Sequence, residues 1–184
     1  MFIQTEQTPN PASLKFLPGC PVMTAGTANF TSERAAHASP LAERLFSLPE
    51  VTGVFLGTEF VTVTKDEEGD WYRLKPAILA IIMEHFTAGR PVLLGEPAVS
   101  ETVGTDEEED EVVAQIKELL ETRVRPAVAQ DGGDITFHDF EDGVVYLHMQ
   151  GSCSGCPSST ATLKAGIENM LRHYIPEVVE VRAI

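Results

Sequence analysis

Basic residues are scarce in this 184-residue chain: 13 lysines and arginines face 28 aspartates and glutamates, a net charge of −15. A nucleic-acid surface needs a Lys/Arg-rich face and an anionic bilayer needs a polybasic segment, so neither partner is expected. Long hydrophobic runs are missing too. The longest, residues 77–83, is far short of the roughly 20 residues that span a bilayer. The first thirty residues hold one basic residue, Lys15, and no apolar stretch of the kind that opens a signal peptide, which predicts a soluble, untargeted chain. Cysteine is rare: there are three, and only two are close together. That is no secreted disulfide framework, so a reducing compartment is expected. There is no phosphate loop, and Ser158 and Ser159 have no evident His and Asp partners, so no enzyme is expected.

What is present is a globular composition, 43% hydrophobic, enough for one generous domain or two small ones. Residues 100–111 carry seven of the net negative charges and no basic residue. With Gly95, Pro97 and Gly104 nearby, this marks an acidic flexible linker over 95–109 between domains 1–94 and 110–184. Thr105 and Glu108 fit a capping box for the helix that follows.

In the first domain, residues 2–8 and 13–17 read as strands around a Thr-Pro-Asn-Pro turn, and residues 29–31 as a further strand. A short helix starts at Ser39-Pro40, and residues 51–65 form a hairpin turning at Gly57-Thr58. A helix over 74–88 covers that sheet with Leu74, Ile78, Ile81, Ile82 and Phe86. His85 borders the stripe as a satisfied core-edge residue, Trp71 and Phe60 pack, and Cys20 and His37 are incidental. In the second domain a helix runs from Val112 past Arg123, disturbed by Pro126 and stopped by Asp131-Gly132-Gly133-Asp134. Strands over 135–140 and 144–150 form a hairpin, followed by a helix opened by Pro157 and a strand over 178–181. The fold class is α/β of the α+β kind: N-terminal strands with a covering helix, then an α-β-β-α-β domain.

Cys153 and Cys156 sit at C-x-x-C spacing between strand and helix, in Gly-Ser-Cys-Ser-Gly-Cys-Pro. Unpaired N–H groups and the positive dipole end at a helix start should lower thiol pKa and favour soft metals. A dithiol redox pair, a zinc site and an iron–sulfur cluster all tolerate this spacing. Zinc or a cubane wants four ligands, so two cysteines per chain require a second copy or a partner. None of the five histidines is assigned a metal role: His138 stands alone, His148 faces away from the core, and His173 suits the negative end of the last helix.

The stretch DGGD followed by LHMQGSCSGCPSSTATLKAGIENML closely resembles the NifU C-terminal domain of iron–sulfur scaffold and carrier proteins. TPNP, LKFLPG, SPLAERLF and GVFLGTEFVTVTK resemble the Nfu N-terminal domain, so the likeness covers nearly the whole chain. It implies a 4Fe-4S cluster bridged between two subunits by Cys153 and Cys156, received from an upstream assembly scaffold and passed to client apo-proteins. The alternative is a thiol redox or zinc-binding module on the same pair. Gly132 and Gly133 fall in the family motif and read physically as turn residues. With no transit peptide in view, a bacterial cytoplasmic protein is expected. The alternative is a processed form in the mitochondrial matrix.

Overall fold

The computed structural model describes residues 1–95, 111–155 and 157–184, without the side chains of 157–159. The chain divides into two compact units, Met1–Val99 and Ser100–Ile184. The expected linker, the capping box and Cys156 lie largely or wholly outside the described residues.

In the first unit, alternation of side chains sets five strands: β1 (Gln4–Gln7), β2 (Ser13–Leu17), β3 (Ala28–Phe30), β4 (Val51–Leu56) and β5 (Val61–Lys65). They form an antiparallel sheet in the order β1-β2-β5-β4-β3. Leu14, Phe16, Val54, Leu56, Val61 and Val63 share one core with Leu41 and Leu45 of helix α2 (Pro40–Phe46) and Leu74, Ile78 and Ile82 of α3 (Trp71–Thr87). The expected covering helix is therefore present. It starts three residues before the predicted position because Asp70 caps it, its Oδ1 accepting from the Tyr72 N–H at 3.0 Å. Trp71 donates from Nε1 to the Pro11 carbonyl at 3.1 Å, and Phe60 is buried. One four-residue helix, α1 (Glu33–Ala36), capped by Ser32, was not predicted: it is too short to show a helical period.

His85 departs from expectation. It is fully buried, yet neither ring nitrogen has a hydrogen-bond partner of normal geometry among the described residues. Burial pushes its pKa below the usual histidine value, and the charges of Arg44 and Arg90 add to that, against weaker opposing contacts from the backbone of Pro91 and Arg90. The unfolded chain then binds a proton more readily than the folded one as pH falls through about 6.5, so stability is lost in that direction. Thermal melts between pH 7.5 and 5 should show the first unit weakening in acid, and a His85→Leu chain should weaken less. Parallel curves for the two proteins would refute this role.

In the second unit the first helix is continuous but changes pitch: α4 (Glu111–Leu119), a π turn (Leu120–Val124) and α5 (Arg125–Gln130). Pro126 has no N–H, and its ring crowds the carbonyl four residues back. The wider turn just before it absorbs this disturbance without breaking the helix. Strands β6 (Gly133–Glu141) and β7 (Val144–Gly151) form the expected hairpin. Asp142 and Gly143 turn it with φ of 50° and 80°, the pair of positive values that a two-residue turn matching strand twist requires. After helix α6 (Pro157–Tyr174), strand β8 (Glu180–Ala183) pairs parallel to β7. It begins two residues later than predicted, because Val178 N–H is used in a turn to Ile175 and Val179 N–H reaches the Gly143 carbonyl at 2.7 Å. Both helices pack on one face of this sheet, around Ile116, Leu120, Val124, Val128, Ile135, Val145, Leu147, Ile167 and Leu171.

Candidate functional site

The cysteine loop leaves the end of β7 where Gly151 stands opposite Gly133 in the hairpin register. Ser152 ties the loop back to the turn that follows α5. Its N–H donates to the Gly132 carbonyl at 3.3 Å, and its hydroxyl makes a short hydrogen bond to the Asp131 carbonyl. Gly132 holds φ of 80°, the left-handed value that ends a helix at low cost for glycine. Thr160, on the first turns of α6, donates its hydroxyl to the Cys153 carbonyl at 3.0 Å. The loop is thus pinned from two sides, by the DGGD turn and by the following helix.

Cys153 lies inside this arrangement, only 5% exposed. Its Sγ occupies the space that a side chain at position 133 would fill. A Cβ built on Gly133 would sit 2.5 Å from the Cys153 Sγ, 2.8 Å from the Gln150 carbonyl oxygen and 3.1 Å from the Cys153 nitrogen. Gly133 is therefore more than a turn residue, because its missing side chain is what lets the thiol pack. The expected lowered thiol pKa is overturned for Cys153. Burial pushes it from 9.0 up to about 11; the Ser152 hydrogen bond opposes that rise, and the Asp131 and Asp134 carboxylates add to it. Desolvation and nearby negative charge outweigh the helix dipole here. The thiol stays protonated at neutral pH, so any metal that takes it must displace a proton.

Sequence reasoning missed the support under this turn. Asp134, buried at the start of β6, receives both Nε and a terminal nitrogen of Arg125, at 2.8 and 2.9 Å. It also accepts the Ile135 N–H at 2.9 Å. Arg125 reaches Glu121 one turn back at 2.6 Å, and these carboxylates raise its pKa further. The signal was available as an arginine just before the helix-disturbing Pro126 and an aspartate closing DGGD, but pairing them needs the fold. Asp134→Asn keeps the shape, removes the charge and costs about 1–3 kcal/mol. A urea melt reads this, and an unchanged midpoint would contradict it.

The other sequence candidates lie elsewhere. Cys20 is a free, half-buried thiol in the first unit. His37 contacts Glu43 at 3.0 Å on an exposed surface, and His173 stacks edge-on against Tyr174. His138 does not stand alone; its ring meets that of His148. Among the described residues, no three His, Cys, Asp or Glu side chains converge as a metal site. No helix among them is long and apolar enough to cross a membrane.

The family described as scaffold protein Nfu/NifU N terminal matches residues 3–89, and the NifU-like domain matches residues 116–182. The chain belongs to the Nfu family of scaffold proteins. Its architecture is the two-domain Nfu arrangement of the α+β class, and the family is one of scaffolds rather than enzymes. A human relative, named NFU1 iron-sulfur cluster scaffold homolog, mitochondrial, is 55% identical over all of this chain and 72% of its own length. NifU-like protein 4, mitochondrial, from Arabidopsis thaliana is 54% identical over 97% of this chain and 64% of its own. The Nfu chain described here thus spans between 64% and 72% of the length of these two curated relatives. A solution NMR structure of a NifU-like protein from Saccharomyces cerevisiae aligns with 52% of this chain and 87% of its own, at 27% identity and a TM-score of 0.48. The curated relatives are named as mitochondrial, so they lend no support to the bacterial cytoplasmic expectation and favour the mitochondrial alternative.

Proposed function

We propose that this Nfu chain is an iron–sulfur cluster carrier. It holds a 4Fe-4S cluster as cargo through Cys153 and Cys156 of two copies, receives it from an upstream scaffold and passes it to client apo-proteins. The observation that carries this reading is the family match spanning the cysteine loop, together with a thiol positioned by the fold's own contacts. Two thiolates per chain fall short of the four that a cubane takes, and a two-fold contact between identical loops supplies the rest. The division into domains 1–94 and 110–184 joined by an acidic linker over 95–109 belongs to the same reading. In it the C-terminal domain holds the cargo and the N-terminal domain serves partner recognition. A mitochondrial matrix setting fits the relatives' names.

The protein's part in loading and delivery is mechanical and acid–base. In the described conformation Cys153 is a neutral thiol in the Gly133 cradle. Taking up cargo requires the loop to lift the sulfur out and lose its proton. Delivery reverses this: as client thiolates take over, Cys153 regains its proton and its packing, which favours release. Bound cargo therefore competes with burial of the thiol, and a carrier needs that balance more than it needs tight binding.

The test is transfer. Loaded protein mixed with a cubane-requiring apo-enzyme and an iron chelator should activate that enzyme faster than free iron and sulfide do. Activation only at the rate of free iron and sulfide would refute the carrier reading, and zinc retained in place of iron would favour the zinc module.

A further inference from the structure

The outer face of the second sheet carries two histidines that the cluster reading does not use. Register pairs Thr136 with His148 and Phe137 with Leu147, then moves to Asp139 with Tyr146, so His138 is the extra residue of a β-bulge. A bulge re-aims the side chain it inserts. Here it brings the His138 ring to 4.9 Å, centroid to centroid, from the His148 ring, with the planes at 80°. Both residues are exposed, while Leu147 and Met149, flanking His148, belong to the core side.

We propose that His138 and His148 form a binding site for an imidazole-preferring divalent ion of the Ni2+, Cu2+ and Zn2+ group. Two imidazole nitrogens each about 2.0–2.1 Å from one ion place the ring centroids on the order of 4.5–5.5 Å apart. The observed centroid spacing of 4.9 Å lies in that interval. Imidazole ligation favours these ions over Mg2+ and Ca2+, which take oxygen ligands. No third His, Cys, Asp or Glu converges among the described residues, and Asp139 uses its Oδ1 to accept its neighbour Phe140 N–H at 2.8 Å. Water completes the coordination, and the site is open to exchange. Cys153 belongs to the core cluster on the other side of the sheet, so this inference stands or falls independently of the cargo reading.

The experiment follows the ring protons of all five histidines by NMR as Ni2+ is added to the reduced full-length chain. A shared site bleaches His138 and His148 together, at one midpoint and ahead of the other three. His148→Asn should then raise the Ni2+ concentration needed to bleach His138 by about tenfold or more, and His138→Asn should do the same for His148. Both positions are exposed, so the thermal midpoint should hold in each variant. Separate midpoints for the two rings in the wild-type chain, or an unchanged midpoint for one ring when the other is replaced, would overturn the site.

Discussion

Replacing Cys153 or Cys156 with alanine is expected to abolish cluster loading, while Cys20→Ala should leave it intact. If each copy supplies two of four thiolates, one substitution per chain halves the ligand set of the dimer, and two thiolates do not hold a cubane against water and chelators. Cys153→Ala also empties the cradle above Gly133, so a modest stability loss of about 1–2 kcal/mol accompanies the functional one. The two effects separate: iron content after anaerobic reconstitution reads the first, and a urea melt of the apo protein reads the second. A Cys156→Ala chain that retains a full, stable cluster would remove the ligand assignment.

The second large effect is expected at a residue with no side chain. Gly133→Val drives its Cβ into the Cys153 sulfur and into the Gln150 carbonyl, at separations of 2.5 and 2.8 Å before any relaxation. The thiol can swing away, but the carbonyl is part of the hairpin and cannot. The expected cost is about 3 kcal/mol, at the upper end of the range for overpacked sites, with cluster loading reduced several-fold because the loop is displaced. Adding Cys153→Ala should recover part of the stability and none of the loading, since it removes one of the two clashes. Strict additivity of the two substitutions in apo stability would mean that they do not touch.

The same thiol gives a pH dependence. Its folded pKa, pushed up to about 11, lies above its ordinary value of 9.0. The burial it contributes is fully present below about pH 9 and is lost as pH rises towards 11, because the unfolded chain ionises first. Apo stability should therefore fall between pH 9 and 11, and fall less in Cys153→Ala. Metal uptake responds in the opposite sense: binding releases the proton, so affinity rises with pH through the same window.

Much of this architecture is legible from local pattern. Alternating Val61 and Val63 mark β5, and Asp142-Gly143 marks a tight hairpin. The family resemblance also extends to both units. What local pattern cannot hold is contact across the chain. Cys153 was expected to be easily ionised from its place before a helix, whereas its environment is set by Gly133, twenty residues earlier, and by the Asp131 and Asp134 carboxylates. His138 was expected to stand alone because local pattern does not give the register between the two strands, and in the fold a bulge at that residue of β6 sets its ring beside that of His148. His85 was expected at the edge of a stripe, whereas it is fully buried; that burial, with Arg44 and Arg90 adding to it from outside the helix, lowers its pKa. The setting of the protein was inferred from its first thirty residues, and the relatives' names point elsewhere.

Whether two copies share one cubane through four thiolates is tested most directly by anaerobic reconstitution with iron and sulfide, followed by the solution mass of the loaded species and its iron and sulfide counts. A dimer with about two irons and two sulfides per chain, showing the Mössbauer signature of a single cubane, is the expected result. A loaded monomer, a separate 2Fe-2S cluster in each chain, or protein that takes up no iron and forms a Cys153–Cys156 disulfide would contradict it.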